Sequence, residues 1–206
     1  MVSILLDSNV FDLLFDKDMG QIRIDIKKEL PQEQYKLFIT KRVEIELKPI
    51  SDKNPAFYEF ISSFQFKDVQ YFGFGNANNR YQRNGGFGFG FAPDNMNQMA
   101  TKLKDKYDKL YPNRNKQDTR KSNDLYKEET DFDLALHSLL DYFVITCDSK
   151  QGKGKRQGYL NVAKGMGGKV IFLDEFAKNL KEGKYKFGDL RKLIENEMER
   201  INNVKN

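Results

Sequence analysis

The chain has 206 residues, 39% of them hydrophobic and 32% charged, and a formal net charge of +5. This length suits a single α/β domain with an insertion, and the basic excess favours an anionic partner. One cysteine, Cys147, excludes a disulfide framework and a cysteine-based zinc site, and one histidine, His137, excludes catalysis by paired histidines within this chain. Asp7 interrupts the opening apolar run, and no stretch approaches the roughly 20 apolar residues of a membrane helix, so we expect a cytoplasmic protein without membrane contact.

Apolar runs alternate with helical patterns in the first part of the chain. The predicted elements, in chain order, are a buried strand over 2–6, apolar residues at helical spacing over 10–14, a charged and loosely helical stretch over 16–34, a strand over 35–39, a helix that Thr40 caps and Pro49 ends, and a helix over about 55–63. The first strand runs directly into Asp7. A turn or a helix cap is enough to explain a single acid at a strand end. A functional role for Asp7 therefore depends on whether other acids stand at the ends of other elements.

Residues 64–124 are predicted as an insertion in a single domain that spans 1–206. The insertion begins with alternating aromatic and polar residues and becomes rich in glycine and phenylalanine, which is typical of a β-hairpin or a glycine-rich flap. A charged helix is predicted over about 95–111, followed by a lysine- and asparagine-rich loop. The aromatic residues are compatible with three roles: stacking on unpaired bases, packing on the domain, or docking of an inhibitor protein or a second copy of the chain.

The last third of the chain returns to alternating helices and strands. The predicted elements are a helix over 131–142, a buried strand over 143–148, a basic glycine-rich loop over 149–158, a strand over 169–173 and a charged helix over 187–204. This alternation predicts an α/β fold, with a central, mostly parallel sheet between two layers of helices. Lys150, Lys153 and Lys155 in the basic loop are candidates for contacts to a nucleic-acid backbone, although a solvated loop explains them as well.

Four acids stand at the ends of these elements. Asp7 and Asp148 each end a buried strand, Glu46 lies on the helix after the second strand, and Asp131 opens a later helix. In a parallel sheet, the carboxyl ends of the strands and the helix starts that follow them lie at one edge, so we expect the four acids to converge. Such a cluster repels itself unless a hard divalent cation such as Mg²⁺ compensates the charge.

Neighbouring acids compete for two of the four positions. Glu128, Glu129 and Asp133 lie close to Asp131, and Glu44 lies close to Glu46. Helical geometry places Asp131 on the face of Leu134, Ala135 and Ser138, which we expect to pack on the sheet. It likewise places Glu46 on the face of Val43 and Leu47. We therefore predict that Asp131 and Glu46, rather than their acidic neighbours, belong to the cluster.

The chain resembles the PIN-domain family of metal-dependent ribonucleases in four short motifs: Asp7-Ser8-Asn9, the segment TKRVEIEL at 40–47, the segment DFDLA at 131–135, and Thr146-Cys147-Asp148. The resemblance covers residues 1–50 and 125–176 and leaves out the insertion. It implies a PIN-like fold and an endoribonuclease dependent on Mg²⁺ or Mn²⁺, of the toxin or defence type, with an antitoxin protein or a second copy of the chain as a partner. By the same resemblance, Asp7, Glu46, Asp131 and Asp148 are the metal-binding and catalytic acids, and Asn9 and Thr146 support them.

Three other functions fit parts of this pattern. A structure-specific DNA nuclease of the flap-endonuclease kind uses the same acidic edge. A phosphatase of the haloacid dehalogenase type also begins with a strand-end aspartate, but it needs a second aspartate where this chain has Asn9. A nuclease-like fold that binds RNA or protein without cutting belongs to a different class, and metal-dependent turnover distinguishes it from an enzyme.

Overall fold

The computed structural model describes residues 1–67, 94–111, 128–149 and 158–203. Its strands are β1 (Val2–Leu6), β2 (Phe15–Asp16), β3 (Gln21–Ile22), β4 (Tyr35–Thr40), β5 (Gln65–Lys67), β6 (Phe143–Thr146) and β7 (Val170–Phe172). Its helices are α1 (Phe11–Leu14), α2 (Ile26–Glu29), α3 (Lys41–Ser51), α4 (Pro55–Ser62), α5 (Asp94–Leu110), α6 (Glu129–Leu139), α7 (Tyr159–Gly165), α8 (Asp174–Lys181) and α9 (Asp189–Asn203), and a 3₁₀ turn at Ser8–Val10 precedes α1. In this part of the chain, no helix combines the length and the apolar character that a membrane crossing requires.

Five strands form one parallel sheet in the order β5-β4-β1-β6-β7. The central strand, β1, pairs with β4 on one side and with β6 on the other. Its residues are fully buried from Ile4 to Leu6, as are Val144 and Ile145 of β6, which explains why both strands read as continuous apolar runs. The prediction of an α/β fold with a central parallel sheet is confirmed.

The strand order reverses direction between β1 and β6. The chain moves outward from β1 to β4 and β5, and then returns to place β6 and β7 on the other side of β1. Because parallel crossovers are right-handed, the two directions put their helices on opposite faces of the sheet. Helix α3 contacts α4 and α6 contacts α7, and α3 and α6 also contact each other, so the two groups of helices meet. A crevice opens at such a reversal, beyond the carboxyl ends of the two strands that flank it.

Local sequence explains where the helices near this crevice begin. The Thr40 hydroxyl accepts a hydrogen bond of 3.3 Å from the Val43 backbone N–H and caps α3 as predicted. Asn54 caps α4 in the same way, and Pro55 occupies its first turn. Predicting the end of α3 at Pro49 was wrong, because the helix continues to Ser51. The missing N–H of proline removes one bond of the last turn, whereas Asp52 N–H still reaches Lys48 O at 2.8 Å.

Other segments differ from the predictions. The stretch over 16–34 was predicted as loosely helical, and it contains the small antiparallel pair β2–β3 and only one helical turn, α2. The start of the predicted insertion contributes β5, which pairs with β4 at the edge of the main sheet. The glycine-rich flap and the loop after α5 fall outside the described residues. Two helices, α7 and α8, were not predicted.

An aromatic cluster packs α4 against the segment that follows the first strand. Its rings lie 5.0 to 6.3 Å apart between centroids, most of them edge to face, and belong to Phe11, Phe15, Phe57, Phe60 and Phe64. All five residues are buried. This packing fixes the chain immediately after Asp7, because α1 cannot shift without breaking ring contacts that each contribute about 1 kcal/mol.

Candidate active site

Asp7 is a buried carboxylate at the exit of β1, with only 3% of its surface exposed. Its Oδ1 accepts a hydrogen bond of 2.7 Å from the Ser8 backbone N–H. Its Oδ2 accepts two more, of 2.8 Å from Asn9 Nδ2 and of 2.7 Å from the Thr146 hydroxyl. Three donors from two neighbouring strand ends therefore hold one carboxylate in a single orientation.

The same hydrogen bonds join the end of β1 to the end of β6. Asn9 Oδ1 accepts a bond of 2.8 Å from the Cys147 backbone N–H. The Thr146 hydroxyl oxygen accepts a bond of 3.1 Å from the Asp148 backbone N–H while it donates to Asp7. Asn9 and Thr146, predicted as supporting residues, thus fix the backbone that carries Asp148 as well as the carboxylate of Asp7.

The electrostatic environment shows which other acids lie near Asp7. Its pKa is raised from 3.8 to about 7, chiefly by burial and then by the negative charges of Asp131 and Glu46. Hydrogen bonds from Thr146 and Ser8 act in the opposite direction but do not compensate. Carboxylates from β1, α3 and α6 are therefore close enough to influence one another, as the sequence predicts for this edge of the sheet.

Glu46, rather than Glu44, points toward this edge. Glu46 Oε2 accepts a hydrogen bond of 2.8 Å from the Ser8 hydroxyl, directly beside Asp7. Glu44 instead forms an ion pair with Lys41 one turn earlier on the surface of α3. Ser8 was not among the predicted site residues, although it is the central residue of the Asp7-Ser8-Asn9 motif.

Asp131 and Asp133 interact with different residues, and their burial is the reverse of what the helical spacing predicts. Helical spacing predicts that only the Asp131 side of α6 packs inward, but the helix is buried on nearly every side, and Asp131 and Leu139 are its half-buried positions. Asp133 is fully buried and lies 3.4 Å from Arg42 Nη1. The charge of Asp131 acts on Asp7. The metal-binding role of Asp131 stays a prediction.

Asp148 and a further acid, Asp174, lie around the half-buried thiol of Cys147. Burial and then the charges of Asp7, Asp174, Asp12 and Asp148 raise the pKa of this thiol to about 12. The thiol is therefore protonated near neutral pH and is a poor nucleophile. Asp174 begins α8, and its Oδ1 accepts a hydrogen bond of 3.3 Å from the Ser149 backbone N–H. Asp174 follows the buried strand β7, so the strand-end rule that selected Asp7 and Asp148 was sufficient to find it.

The donors fit a hard divalent cation in chemistry but are not arranged around one point. All four predicted ligands offer carboxylate oxygens, the kind that Mg²⁺ and Mn²⁺ prefer. Oδ1 of Asp7 keeps capacity for a cation, because a carboxylate oxygen has two lone pairs and only one close hydrogen bond, from Ser8, uses them. Over 1–67, 94–111, 128–149 and 158–203, no three acidic, histidine or cysteine side chains are placed to hold a metal ion as they stand.

Comparison of the chain with protein-family models, with curated proteins and with solved structures gives no match in any of the three. The resemblance to the PIN-domain family therefore depends on the four motifs alone and stays a prediction. Lys150, Lys153 and Lys155, the predicted contacts to a nucleic-acid backbone, lie outside the described residues.

Proposed function

We propose that the chain is a metal-dependent endoribonuclease that hydrolyses RNA phosphodiester bonds at the carboxyl edge of its parallel sheet. The observation that carries this proposal is the state of Asp7, a buried carboxylate at the β1–β6 reversal whose pKa is raised to about 7 by burial and by two neighbouring acids. Such an arrangement destabilises the fold. It is typical of a functional site, in which a bound cation offsets the repulsion.

The residues of the chain take separate roles in this proposal. Asp7, Glu46, Asp131 and Asp148 are the residues that would hold one or two Mg²⁺ or Mn²⁺ ions. Such ions, when bound, would supply Lewis-acid activation of water and would neutralise charge on the phosphate. Thr146 and Asn9 orient Asp7, and Ser8 orients Glu46. Cys147 takes no part as a nucleophile, because its thiol stays protonated.

RNA as the substrate, a toxin or defence role, and an antitoxin partner come from the resemblance to the PIN-domain family. The acids themselves do not distinguish RNA from DNA, because the same edge serves nucleases of both kinds. The net charge of +5 agrees with either polyanion.

A second candidate is a PIN-like module that binds RNA or protein without cutting it. Within the described parts of the chain, the absence of three ready-placed metal donors favours this candidate. It predicts binding of RNA that is the same with and without a divalent ion, and no turnover.

The test is incubation of the full chain with a panel of single-stranded RNA and DNA, in Mg²⁺, in Mn²⁺ or in EDTA. We expect RNA cleavage with either ion, none in EDTA, and a fall to the EDTA background in Asp7→Asn and Asp148→Asn. Asp141→Asn is the matched control, because Asp141 is an exposed acid beyond the end of α6. Cleavage of DNA alone selects the DNA nuclease. A folded wild type that binds RNA but cuts nothing selects the binding module.

A further inference from the structure

Arg42 joins the two helices that carry predicted metal ligands. It is the second residue of α3, and its Nε donates a hydrogen bond of 3.0 Å to Glu129 Oε1 at the start of α6. Its Nη1 lies 3.4 Å from Asp133 Oδ1, one turn further along α6. Glu129 and Asp133 are fully buried, and the side chain of Arg42 is 18% exposed. We call these three residues the Arg42 cluster.

The Arg42 cluster lies one helical turn or less from the acids of the site. Glu46 follows Arg42 by four residues and so shares its side of α3. Asp131 lies between Glu129 and Asp133 in the first turns of α6. A movement of α3 relative to α6 therefore changes the separation of Glu46 and Asp131. The Arg42 guanidinium resists that movement through its hydrogen bond to Glu129 and its ion pair with Asp133.

Stability alone is a weak reason for such a cluster. A guanidinium and two carboxylates lose hydration when they are buried, and well-packed apolar residues often stabilise a fold equally well or better. What such a cluster offers instead is a defined geometry, through one hydrogen bond to Glu129 and one ion pair with Asp133. The adjacent Ser8–Glu46 bond of 2.8 Å fixes α3 to the end of β1, and the Arg42 cluster fixes it to α6.

We propose that Arg42, held by Glu129 and Asp133, is a positioning residue that sets the separation of the Glu46 and Asp131 carboxylates for binding of a divalent ion. This inference rests on the proposed function. In this role Arg42 acts through the relative placement of α3 and α6 and not as a ligand of the ion.

The test compares variants that change the cluster without leaving a buried charge unpaired. The triple variant Arg42→Met/Glu129→Gln/Asp133→Asn removes all three charges together, and Arg42→Lys keeps the charge but loses the fork. Arg191→Met/Glu195→Gln is the matched control, because it removes an arginine–glutamate pair with a similar contact, 2.8 Å, on α9. Two quantities are measured: the Mn²⁺ dissociation constant by calorimetry, and the distance between spin labels at Lys48→Cys and Asp141→Cys in a Cys147→Ser background.

We expect the triple variant to fold, to bind Mn²⁺ about 10- to 100-fold more weakly than wild type, and to show a broader label distance. For Arg42→Lys we expect a smaller loss of Mn²⁺ affinity and a smaller broadening of the label distance. If the triple variant does not fold, Arg42→Lys alone tests the positioning role. The α9 control leaves both quantities unchanged. Wild-type Mn²⁺ affinity and an unchanged label distance in folded cluster variants overturn the positioning role. If wild type itself binds no Mn²⁺, the proposed function fails, and the label distance alone then supports or overturns the role of Arg42 in fixing α3 to α6.

Discussion

The raised pKa of Asp7 determines how the stability of the metal-free protein depends on pH. The folded pKa is about 7 and the ordinary value is 3.8, so between these pH values the folded protein keeps a proton that the unfolded chain has released. This contribution is fully present below about pH 4 and is lost as the pH rises to about 7. Over the whole range it corresponds to roughly 4 kcal/mol.

Asp7→Asn is expected to remove this pH dependence, because the amide does not ionise. In EDTA, the free energy of unfolding of wild type should fall relative to that of Asp7→Asn by roughly 2 to 3 kcal/mol between pH 5 and pH 8. Urea unfolding at the two pH values measures the difference. Asp141→Asn, at an exposed position, should show the same change in the free energy of unfolding between pH 5 and pH 8 as wild type. A difference between wild type and Asp7→Asn that is the same at both pH values contradicts the assignment.

Thr146 offers a second test, because its hydroxyl both donates to Asp7 and accepts from the Asp148 backbone N–H. Thr146→Val keeps the shape of the side chain but removes one hydrogen-bond partner from the Asp7 carboxylate and one from the Asp148 backbone N–H. We expect this loss to lower the free energy of unfolding by about 1 to 3 kcal/mol. Thr146→Ser keeps the hydroxyl and should cost less than Thr146→Val. Urea unfolding at pH 8 in EDTA measures both, and a serine variant no more stable than the valine variant argues against the hydroxyl as the important group.

The packing of α6 on α7 depends on the absence of a side chain at Gly168. A Cβ at this position would lie 2.6 Å from the Ser138 hydroxyl and 2.7 Å from the Ala163 carbonyl oxygen. Gly168→Ala should therefore cost about 1 to 3 kcal/mol. Gly165→Ala is the matched control, because a Cβ there meets nothing within 4 Å, and alanine at the end of α7 should be neutral or stabilise by up to about 1 kcal/mol. Equal thermal midpoints for the two variants would show that α7 shifts freely on α6.

At the level of elements, the sequence predicts those that have a strong local pattern. The buried strands β1, β4, β6 and β7 are short apolar runs, and Thr40 marks the start of α3. Each strand lies within two residues of its predicted bounds, and β6 ends at Thr146, two residues before the predicted end at Asp148. Helix α7 was missed because glycine, not a capping side chain, precedes its seven residues. Strand β5 has only three residues, and its place at the sheet edge comes from pairing with β4, which local pattern does not encode.

At the scale of the whole molecule, the strand order decides which parts of the site the sequence is able to predict. The strand-end rule finds Asp7 and Asp148 because parallel strands present their carboxyl ends at one edge. It does not reveal the Ser8–Glu46 bond or the Arg42–Glu129 bond, which join residues 38 and 87 positions apart. The first contact depends on how α3 lies against the end of β1 and the second on how α3 lies against α6, and both placements are properties of the tertiary structure.

Calorimetric titration of Mn²⁺ into the metal-free full chain at pH 8, where Asp7 is ionised, tests whether the acids at this edge of the sheet bind a metal ion. We expect saturable binding to wild type and to Asp141→Asn, and loss of binding in Asp7→Asn while that variant stays folded. A folded wild type that binds no Mn²⁺, or an Asp7→Asn variant that binds as tightly as wild type, would contradict the claim that the acids at this edge form a metal centre.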